Sequence, residues 1–579
     1  MIRVIPGPTC HRMRAMLSRL QVALAIVIGF GTFPNLTAAS GPPVQGRRAM
    51  VVCQSAPASK VGIDVLKEGG NAVDAAVAIA FAMAVTHPTA GNIGGGGFIV
   101  YRPSTGETVT YDFREMAPAK ASPDMFLRDG RYDEERHHFS YLSVGVPGTV
   151  AGLHLAWREK GRLPWKRLVE PAISLARNGF EVSQGLSDSL RGILPKMRKC
   201  PASVAQFSKQ GVPYEPGEML RQPDLARTLE RIASDGPAGF YKGETAELIA
   251  KEMAANGGLI TRDDLKNYRA YRRAPLRGSY RGCEVISIPP PSSGGTVLLE
   301  MLNMLELFRL EKLGFGSAAQ LHLAIEAMRR GFADRARYLG DPDSNPEMPI
   351  DRLISKEYAA DLAKTIRNDA ASKSSPTIFE WPREGDSTTH ISVVDRERNA
   401  VALTYTLESG YGSRIVVTGA GFLLNNEMGD FNAGPGLTTE GGLIGTRANL
   451  AGPGKRMLSS MTPTILVRNG KLFMVTGSPG GRTIINTVLQ TILNVVDFGM
   501  NVQEAVDAPR IHHQWLPDRV SYEHYGLSPD TISVLTSFGH SLTPVQSQGV
   551  VEAIVYDPRQ DVLQGGCDRR APDGAAMGW

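Results

Sequence analysis

The feature that most constrains the fold is a pair of β-branched, apolar runs joined by a short polar turn in the last third of the chain. The runs cover residues 390–395 and 400–406. Their pattern predicts an antiparallel hairpin. If the turn centres on Glu397, the residue nine positions before it, Thr388, pairs with the residue nine positions after it, Thr406. Two threonine hydroxyls would then lie side by side at the open end of the hairpin, although threonine also fills strand positions for packing alone.

The first 39 residues have the composition of an export signal. Basic residues up to Arg19 precede an apolar run over 20–30, and Thr37-Ala38-Ala39 offers small residues for signal peptidase. The run is short for a membrane span. We therefore predict that residues 1–39 are a signal peptide and that the protein is exported, either periplasmic or secreted. An uncleaved anchor is the alternative.

Length and charge limit the class of protein. The 579 residues are 42% hydrophobic, enough for two or three domains or one large layered domain. The formal charge is +5, and the signal segment contributes four arginines and no acidic residue, so +1 remains after its removal. A nearly neutral protein has no electrostatic reason to bind nucleic acid or an anionic membrane.

The remaining cysteines and the paired histidines give no metal pattern. Four cysteines follow the signal segment, widely scattered and without a C-x-x-C pair: Cys53, Cys200, Cys283 and Cys567. One or two disulfides and buried free thiols both remain open. The pairs at 137–138 and 512–513 are interpreted as surface or packing histidines, because no H-E-x-x-H or comparable spacing occurs. We predict no metal and no cofactor.

Two glycine-rich stretches differ in their predicted use. The run over 91–97 precedes a strand and lacks Gly-Lys-Ser/Thr, which excludes a nucleotide loop and favours close backbone packing. Gly480-Gly481 lies between a strand at 472–476, which follows an Asn-Gly turn, and an amphipathic helix starting near Ile484. Free backbone N–H groups at that position, with the helix dipole behind them, can hold an oxyanion. A further Gly- and Pro-rich loop over 433–454 is long enough to be a lid.

An ordered series of motifs resembles the γ-glutamyltranspeptidase family. The motifs are Asp112-Phe113-Arg114-Glu115, Ser387-Thr388-Thr389-His390, Thr404-Tyr405-Thr406, Asn425-Asn426-Glu427-Met428-Gly429-Asp430, Ser459-Ser460-Met461 and Gly477-Ser478-Pro479-Gly480-Gly481. The resemblance runs from about residue 49 to the C terminus. It implies an α+β fold, the four-layer αββα sandwich of N-terminal-nucleophile hydrolases. It also implies a precursor that cuts itself before Thr388 into a large subunit, 40–387, and a small subunit, 388–579, which stay together as a heterodimer.

The same resemblance implies the site residues. The catalytic group is Thr388, Thr406, Gly480 and Gly481. The substrate-binding group is Arg114, Glu408, Glu427, Asp430, Ser459 and Ser460. In the family pattern Arg114 and the two serines hold the substrate α-carboxylate, whereas Glu427 and Asp430 hold its α-ammonium. Glu408 departs from members that have asparagine there, and Gly441 and Met457 are further departures that leave the acceptor preference open.

The function implied is an exported enzyme that cleaves γ-glutamyl amides, glutathione first among them. The acyl group would pass through a Thr388 ester to water or to an amino acid or peptide acceptor. A related acylase for glutaryl-type cephalosporin side chains is one rival, but its ligand has no ammonium to neutralise Asp430. A non-catalytic binding protein is another, and it would need Thr388, Thr406 or the Gly480-Gly481 pair to be broken.

Overall fold

The computed structural model describes residues 40–375 and 387–579, apart from 438, 440 and 442–444. The predicted signal segment, the end of the polar loop before Thr388 and part of the predicted lid therefore lie outside the described residues. No helix in the described ranges is long and apolar enough to cross a membrane.

Most strands belong to two large sheets. The strands, numbered along the chain, are β1 (Val44–Gly46), β2 (Met50–Cys53), β3 (Gly96–Arg102), β4 (Val109–Phe113), β5 (Leu127–Arg128), β6 (Arg131–Tyr132), β7 (Phe180–Glu181), β8 (Met219–Leu220), β9 (Tyr271–Arg273), β10 (Leu276–Tyr280), β11 (Cys283–Ser287), β12 (Ser387–Val394), β13 (Ala400–Glu408), β14 (Thr464–Arg468), β15 (Lys471–Gly477), β16 (Ile511–His512), β17 (Val520–Glu523), β18 (Leu542–Val545), β19 (Glu552–Asp557), β20 (Val562–Cys567) and β21 (Ala575–Gly578).

The helices lie between these strands in sequence. They are α1 (Ala56–Lys67), α2 (Ala72–Thr86), α3 (Glu134–His138), α4 (Thr149–Lys160), α5 (Trp165–Asn178), α6 (Gln184–Met197), α7 (Pro201–Phe207), α8 (Pro223–Asp235), α9 (Ala238–Tyr241), α10 (Gly243–Ala255), α11 (Arg262–Asn267), α12 (Gly294–Glu306), α13 (Leu310–Leu313), α14 (Ala318–Tyr338), α15 (Ile350–Leu353), α16 (Lys356–Ala363), α17 (Thr483–Val496), α18 (Val502–Asp507) and α19 (Pro529–Ser537). Residues 148–375 are mostly helical but also contain the short strands β7–β11.

Sheet I has seven antiparallel strands in the order β21-β2-β12-β13-β3-β4-β9. Its centre is the hairpin predicted from the sequence. The pairing of Thr388 with Thr406 is confirmed, and Thr389 pairs with Tyr405 in the same register. Every residue of the central strand β13 is buried, so this strand is packed on both of its faces.

Sheet II also has seven antiparallel strands, in the order β1-β20-β19-β15-β14-β11-β10. Its hairpin β14–β15 turns at Asn469 and Gly470, whose φ angles are +51° and +73°. Left-handed conformations at both positions are what a tight Asn-Gly hairpin turn requires. The two large sheets and the flanking helices give a mixed α+β fold.

Strand β2 shows how sheet I serves two cores. Val51 and Cys53 belong to the core that it shares with α1 and α2. Met50 and Val52 point to the other face, where they share a core with Val475 and other residues of sheet II. The period-2 alternation of a strand places its successive side chains in these different cores.

Helix α2 is buried at every position, as its nearly all-apolar sequence predicts. Asn71 caps it: the side chain accepts hydrogen bonds from the amides of Val73 and Asp74, and Asp74 bonds back to the Asn71 amide. This reciprocal capping box fixes the start of the helix against sheet I.

The glycine run over 91–97 packs closely, as expected. A Cβ on Gly95 would lie 1.9 Å from the Thr406 carbonyl oxygen, and one on Gly97 would lie 2.3 Å from the Thr404 carbonyl oxygen. Only glycine allows these backbones to approach so closely. The run therefore positions β13, which contains Thr406.

Candidate active site

The two threonines predicted from the hairpin lie together at its open end. The Thr388 hydroxyl donates a hydrogen bond to the Thr406 hydroxyl over 3.3 Å. Both residues are buried, with exposed fractions of 8% and 1%. The strand register shifts between Ser387 and Thr388, so Ser387 pairs with Glu408 rather than with residue 407. Such irregularities re-aim the backbone locally, and this one falls on the predicted cleavage bond.

Asn92, which was not predicted as a site residue from the sequence, fixes Thr406 from the neighbouring loop. Its side-chain amide donates to the Thr406 carbonyl over 2.8 Å. Its oxygen accepts from the Gly95 amide at 2.9 Å and from the Thr149 hydroxyl at 2.7 Å. Because the nitrogen donates and the oxygen accepts, these bonds fix the orientation of the Asn92 side-chain amide. Its position inside the glycine run over 91–97 is the feature of the sequence that could have identified it.

Arg114 lies at the centre of a buried charge cluster. Its guanidinium donates to Glu427 and Asp430 in two ion pairs. It also donates to the carbonyls of Met457 and Leu458, each at 3.2 Å. The structure therefore brings together the predicted carboxylate clamp and the predicted ammonium-binding acids, but pairs them with one another.

The charges in this cluster depend strongly on one another. Burial raises the pKa of Glu427 well above its ordinary value, opposed by the charge of Arg114. Burial likewise raises the pKa of Glu115 to about 7, and its carboxylate lies 3.6 Å from Arg114. Burial by itself lowers the pKa of Arg114, but Glu427 and Asp430 outweigh it and raise that pKa. Arg114 is therefore the cation that opposes the rise in the pKa of Glu427 and of Glu115.

A second buried arginine, Arg335, supports the two predicted serines. Its Nη2 donates to the Ser460 hydroxyl at 3.1 Å, and its Nε donates to the Ser293 hydroxyl at 2.8 Å. Ser293 in turn donates to the Ser459 carbonyl at 2.6 Å. Arg335 was not predicted from the sequence, because nothing in its helical context distinguishes it from a solvated arginine.

The Gly480-Gly481 turn has the strained backbone that only glycine adopts easily, with φ angles of +126° and +54°. The Thr483 hydroxyl donates to the Gly480 carbonyl at 2.7 Å, which ties the turn to the start of α17. Within the described part of the chain, neither glycine amide donates a hydrogen bond. Free amides at a helix start are suited to stabilise an oxyanion.

One cavity collects almost all the predicted site residues. Its lining includes Arg114, Thr388, Thr406, Glu408, Glu427, Asp430, Ser459, Ser460 and Gly481. Gly480 is the predicted site residue that does not line it. The space is about 10 Å³, room for about one water. Arg114, Glu427 and Asp430, which form ion pairs with one another, all line this space.

Glu408, the departure from the family pattern, has a partner that the sequence analysis did not identify. Its backbone has a φ of +79°, unusual for a residue with a side chain. One carboxylate oxygen accepts from the hydroxyl of Ser409 at 2.6 Å and from Asn426. The other lies 3.3 Å from His138 Nδ1. Burial lowers the pKa of His138. Its bond to Glu408 and the charges of Glu408, Asp430 and Glu134 together outweigh burial and raise that pKa.

The paired histidines lie in the interior, and the described cysteines form no disulfide. His137, His138, His512 and His513 are all buried, so the packing interpretation holds and the surface one is wrong. Cys53, Cys200, Cys283 and Cys567 are free thiols.

One cluster in the described residues has metal-ligand spacing. Donor atoms of His322, Glu326 and His540 lie within 4.8 Å of one another. His322 Nδ1 is 2.8 Å from His540 Nε2, and Glu326 accepts from Arg330 at 2.6 Å. Hydrogen bonds and an ion pair within the protein thus account for the cluster.

Comparison with known proteins places this chain in a family. The family model described as gamma-glutamyltranspeptidase matches residues 58–578. The chain is 47% identical to a glutathione hydrolase proenzyme of Escherichia coli K12, over 96% of this chain and 99% of the relative.

Two solved structures resemble the fold. A γ-glutamyltranspeptidase of Helicobacter pylori is 44% identical, with a TM-score of 0.54 over 58% of this chain and 95% of that one. A cephalosporin acylase of Bacillus halodurans is 27% identical, with a TM-score of 0.82 over 95% of this chain and 99% of that one. The chain belongs to the γ-glutamyltranspeptidase family.

Proposed function

We propose that this protein is a γ-glutamyltransferase and glutathione hydrolase, made as a proenzyme that cleaves itself before Thr388. The large subunit is 40–387 and the small subunit is 388–579, held together in one αββα sandwich of the N-terminal-nucleophile hydrolase type. The observation that carries this proposal is the bonded Thr388–Thr406 pair, located at a register shift and facing the Arg114 cavity.

Cleavage converts Thr388 from an interior residue into a nucleophile that has its own base. The Thr388 hydroxyl attacks the Ser387 carbonyl through a five-membered ring, and water hydrolyses the resulting ester. The α-amine released has a reference pKa of about 7.7–8.0, so it can accept a proton near neutral pH. Thr406 orients the hydroxyl by accepting its hydrogen bond.

Turnover repeats the same chemistry on the substrate. The Thr388 amine takes the proton from the Thr388 hydroxyl as the oxygen attacks the γ-carbonyl. The amides of Gly480 and Gly481 stabilise the oxyanion that forms. The leaving amine takes the proton, and water or an acceptor amine then attacks the ester.

Recognition of the γ-glutamyl group follows from the charges of the closed cavity. The substrate has an α-carboxylate and an α-ammonium on one carbon. When it enters, its carboxylate takes the place of the acids at Arg114, with Ser459 and Ser460 donating to it. Its ammonium takes the place of Arg114 at Glu427 and Asp430. Every buried charge then remains paired, which is the condition for burying ions at low cost.

A glutaryl-type acylase is the second candidate, favoured by the likeness to the Bacillus halodurans structure. A glutaryl group has the carboxylate but no ammonium. It would occupy Arg114 and leave Glu427 and Asp430 without a cation, and an uncompensated buried charge costs about 3–5 kcal/mol. The charge balance of the cavity therefore supports a γ-glutamyl substrate.

Export is part of the proposal. Residues 1–39 form the signal peptide, which places the enzyme in the periplasm or outside the cell. Its substrates are then extracellular glutathione and other γ-glutamyl compounds, with amino acids or peptides as acceptors.

The experiment compares Thr388→Ala with Thr389→Ala in purified protein. Thr389 is the adjacent buried threonine and pairs with Tyr405, so it is a matched control. Thr388→Ala should remain one uncut chain and release no glutamate from glutathione, whereas Thr389→Ala should process and turn over. Glutamate release by Thr388→Ala would contradict the proposal. Faster turnover of glutaryl-p-nitroanilide than of γ-glutamyl-p-nitroanilide by the native enzyme would favour the second candidate.

A further inference from the structure

A cavity between α4, α9 and the segment that connects α11 to β9 has no role in the mechanism above. Its volume is about 410 Å³, within the usual range of small-molecule sites. It shares no lining residue with the cavity at Arg114. Among the described residues that line this basic cavity, none is acidic and five are basic: His154, Arg158, Lys242, Lys266 and Arg269.

Two buried tyrosines form part of the wall of the basic cavity. The rings of Tyr241 and Tyr268 are stacked, with centroids 5.7 Å apart and an interplanar angle of 5°. The Tyr241 hydroxyl donates to the Pro147 carbonyl at 2.9 Å, and the Tyr268 hydroxyl donates to the Arg114 carbonyl at 2.8 Å. These contacts fix both rings, so this wall is formed before any ligand binds.

Three of the basic side chains have no counterion. Within the described ranges, the side chains of Arg158, Lys242 and Lys266 are exposed and make no hydrogen bond or ion pair. Acids close to them in sequence have other partners: Glu159 accepts from a tyrosine hydroxyl at 3.0 Å, and Glu244 pairs with an arginine of α8. The positive charge that these three residues bring to the cavity is therefore available to a ligand.

Three other features add positive potential at the same place. Arg269 donates through Nη1 to the carbonyls of Lys266 and Tyr268, which are neutral acceptors, at 2.8 and 2.7 Å. Burial and the charge of Arg158 lower the pKa of His154. Lys242 directly precedes α10, a 13-residue helix whose start has no side-chain cap, so the helix dipole is positive there. The summed field of the cavity favours an anion.

A larger space of about 1040 Å³ adjoins the basic cavity and shares Tyr241, Lys242 and Lys266 with it. Its lining includes an acid, Asp263, and an arginine that lies 3.6 Å from Glu247. The smaller cavity is therefore the better site for an anion.

We propose that the basic cavity binds a small polyanion, a molecule with two or more phosphate or carboxylate groups. Arg158, Lys242 and Lys266 pair with its separate oxyanion groups, and Arg269 adds to the field that attracts them. One anionic group reaches only some of these cations at once, so the affinity rises with the number of groups. The inference goes beyond the proposed function and does not depend on it, because the cavity is separate from Thr388 and its substrate.

Binding is measured by isothermal titration calorimetry on the purified, processed protein with three probes: tripolyphosphate, tricarballylate and orthophosphate. Tripolyphosphate or tricarballylate should bind at one site, roughly tenfold or more tightly than orthophosphate. The tighter of the two polyanions identifies phosphate or carboxylate as the group that the cavity prefers. The absence of binding, or equal affinity for all three probes, would overturn the proposal.

A double variant places the bound anion in this cavity. Lys242→Gln combined with Lys266→Gln should raise the Kd of the tighter polyanion about 3- to 30-fold, as expected for the loss of two exposed ion pairs. Lys166→Gln combined with Lys471→Gln is the matched control, because both lysines are exposed, line neither cavity and remove the same charge. The control should keep the native Kd.

A native Kd in the Lys242 and Lys266 variant would overturn the proposal, as would an equal loss of affinity in the control. Binding should also persist in the uncut Thr388→Ala protein, because the cavity is built from residues 151–270 alone. Failure of the proposed function would therefore appear in glutamate release, whereas failure of this inference would appear in anion binding.

Discussion

Replacing Arg114 by alanine should damage stability and substrate binding together, for one physical reason. Arg114 is fully buried and is the cation for Glu427 and Asp430, with Glu115 at 3.6 Å. Removing one partner of a buried ion pair leaves an uncompensated charge. We expect a loss of about 3–5 kcal/mol in the free energy of unfolding.

The substrate loses its carboxylate partner in the same variant. Truncating one side of a buried charge pair costs about 2–4 kcal/mol, which lowers kcat/KM for γ-glutamyl-p-nitroanilide roughly 30- to 1000-fold. Self-cleavage should continue, because none of these hydrogen bonds of the Arg114 guanidinium goes to Thr388. Fragment masses, urea unfolding and steady-state kinetics measure the three effects separately.

Two further variants separate stability from recognition. Arg114→Lys keeps a cation but loses the planar fork, so it should recover part of the stability and little of the substrate affinity. Asp430→Asn in the Arg114→Ala background removes one unpaired acid, so it should recover stability without recovering affinity. Native stability and a native KM in Arg114→Ala would refute the reasoning.

Two other predictions concern the glycine turn and the Glu408 partner. Gly480→Ala places a Cβ 2.4 Å from the Thr483 hydroxyl at a φ of +126° and should lower kcat about 100-fold or more. Gly470→Ala is the control: its φ is +73°, its Cβ would have no atom within 4 Å, and kcat should not change. Equal kcat values in the two variants would contradict this role. The raised pKa of His138 stabilises the fold fully below its unfolded pKa of about 6.5, and this contribution disappears as pH rises through the folded pKa. His138→Gln should therefore be less stable than the native protein at about pH 5.5 and equally stable at about pH 9, as measured by urea unfolding; a constant difference would exclude the ion pair.

Local sequence signals predicted the elements that depend on neighbouring residues. The Thr388–Thr406 register follows from alternation around one turn, and Asn469-Gly470 predicts its hairpin directly. Asn71 predicts the start of α2, because a capping side chain bonds to amides two and three residues away. In each case the interactions that decide the local structure are made within one hairpin or one turn of helix.

The resemblance predicted which residues belong to the charge network, but not how those residues pair. The resemblance named Arg114, Glu427 and Asp430, but their mutual ion pairs join positions more than 300 residues apart. Arg335 and His138 gave no local signal at all, because their roles depend on Ser460 and Glu408 in other elements. Side chains that act through long-range contacts require the fold before their role can be seen.

The most direct test of the central claim is the intact mass of the purified protein, combined with N-terminal sequencing. Self-cleavage by Thr388 predicts two fragments that copurify, the smaller beginning Thr388-Thr389-His390 and ending at the C terminus. A single uncut chain that releases glutamate from glutathione would contradict the account, because Thr388 would then have no α-amine to act as base.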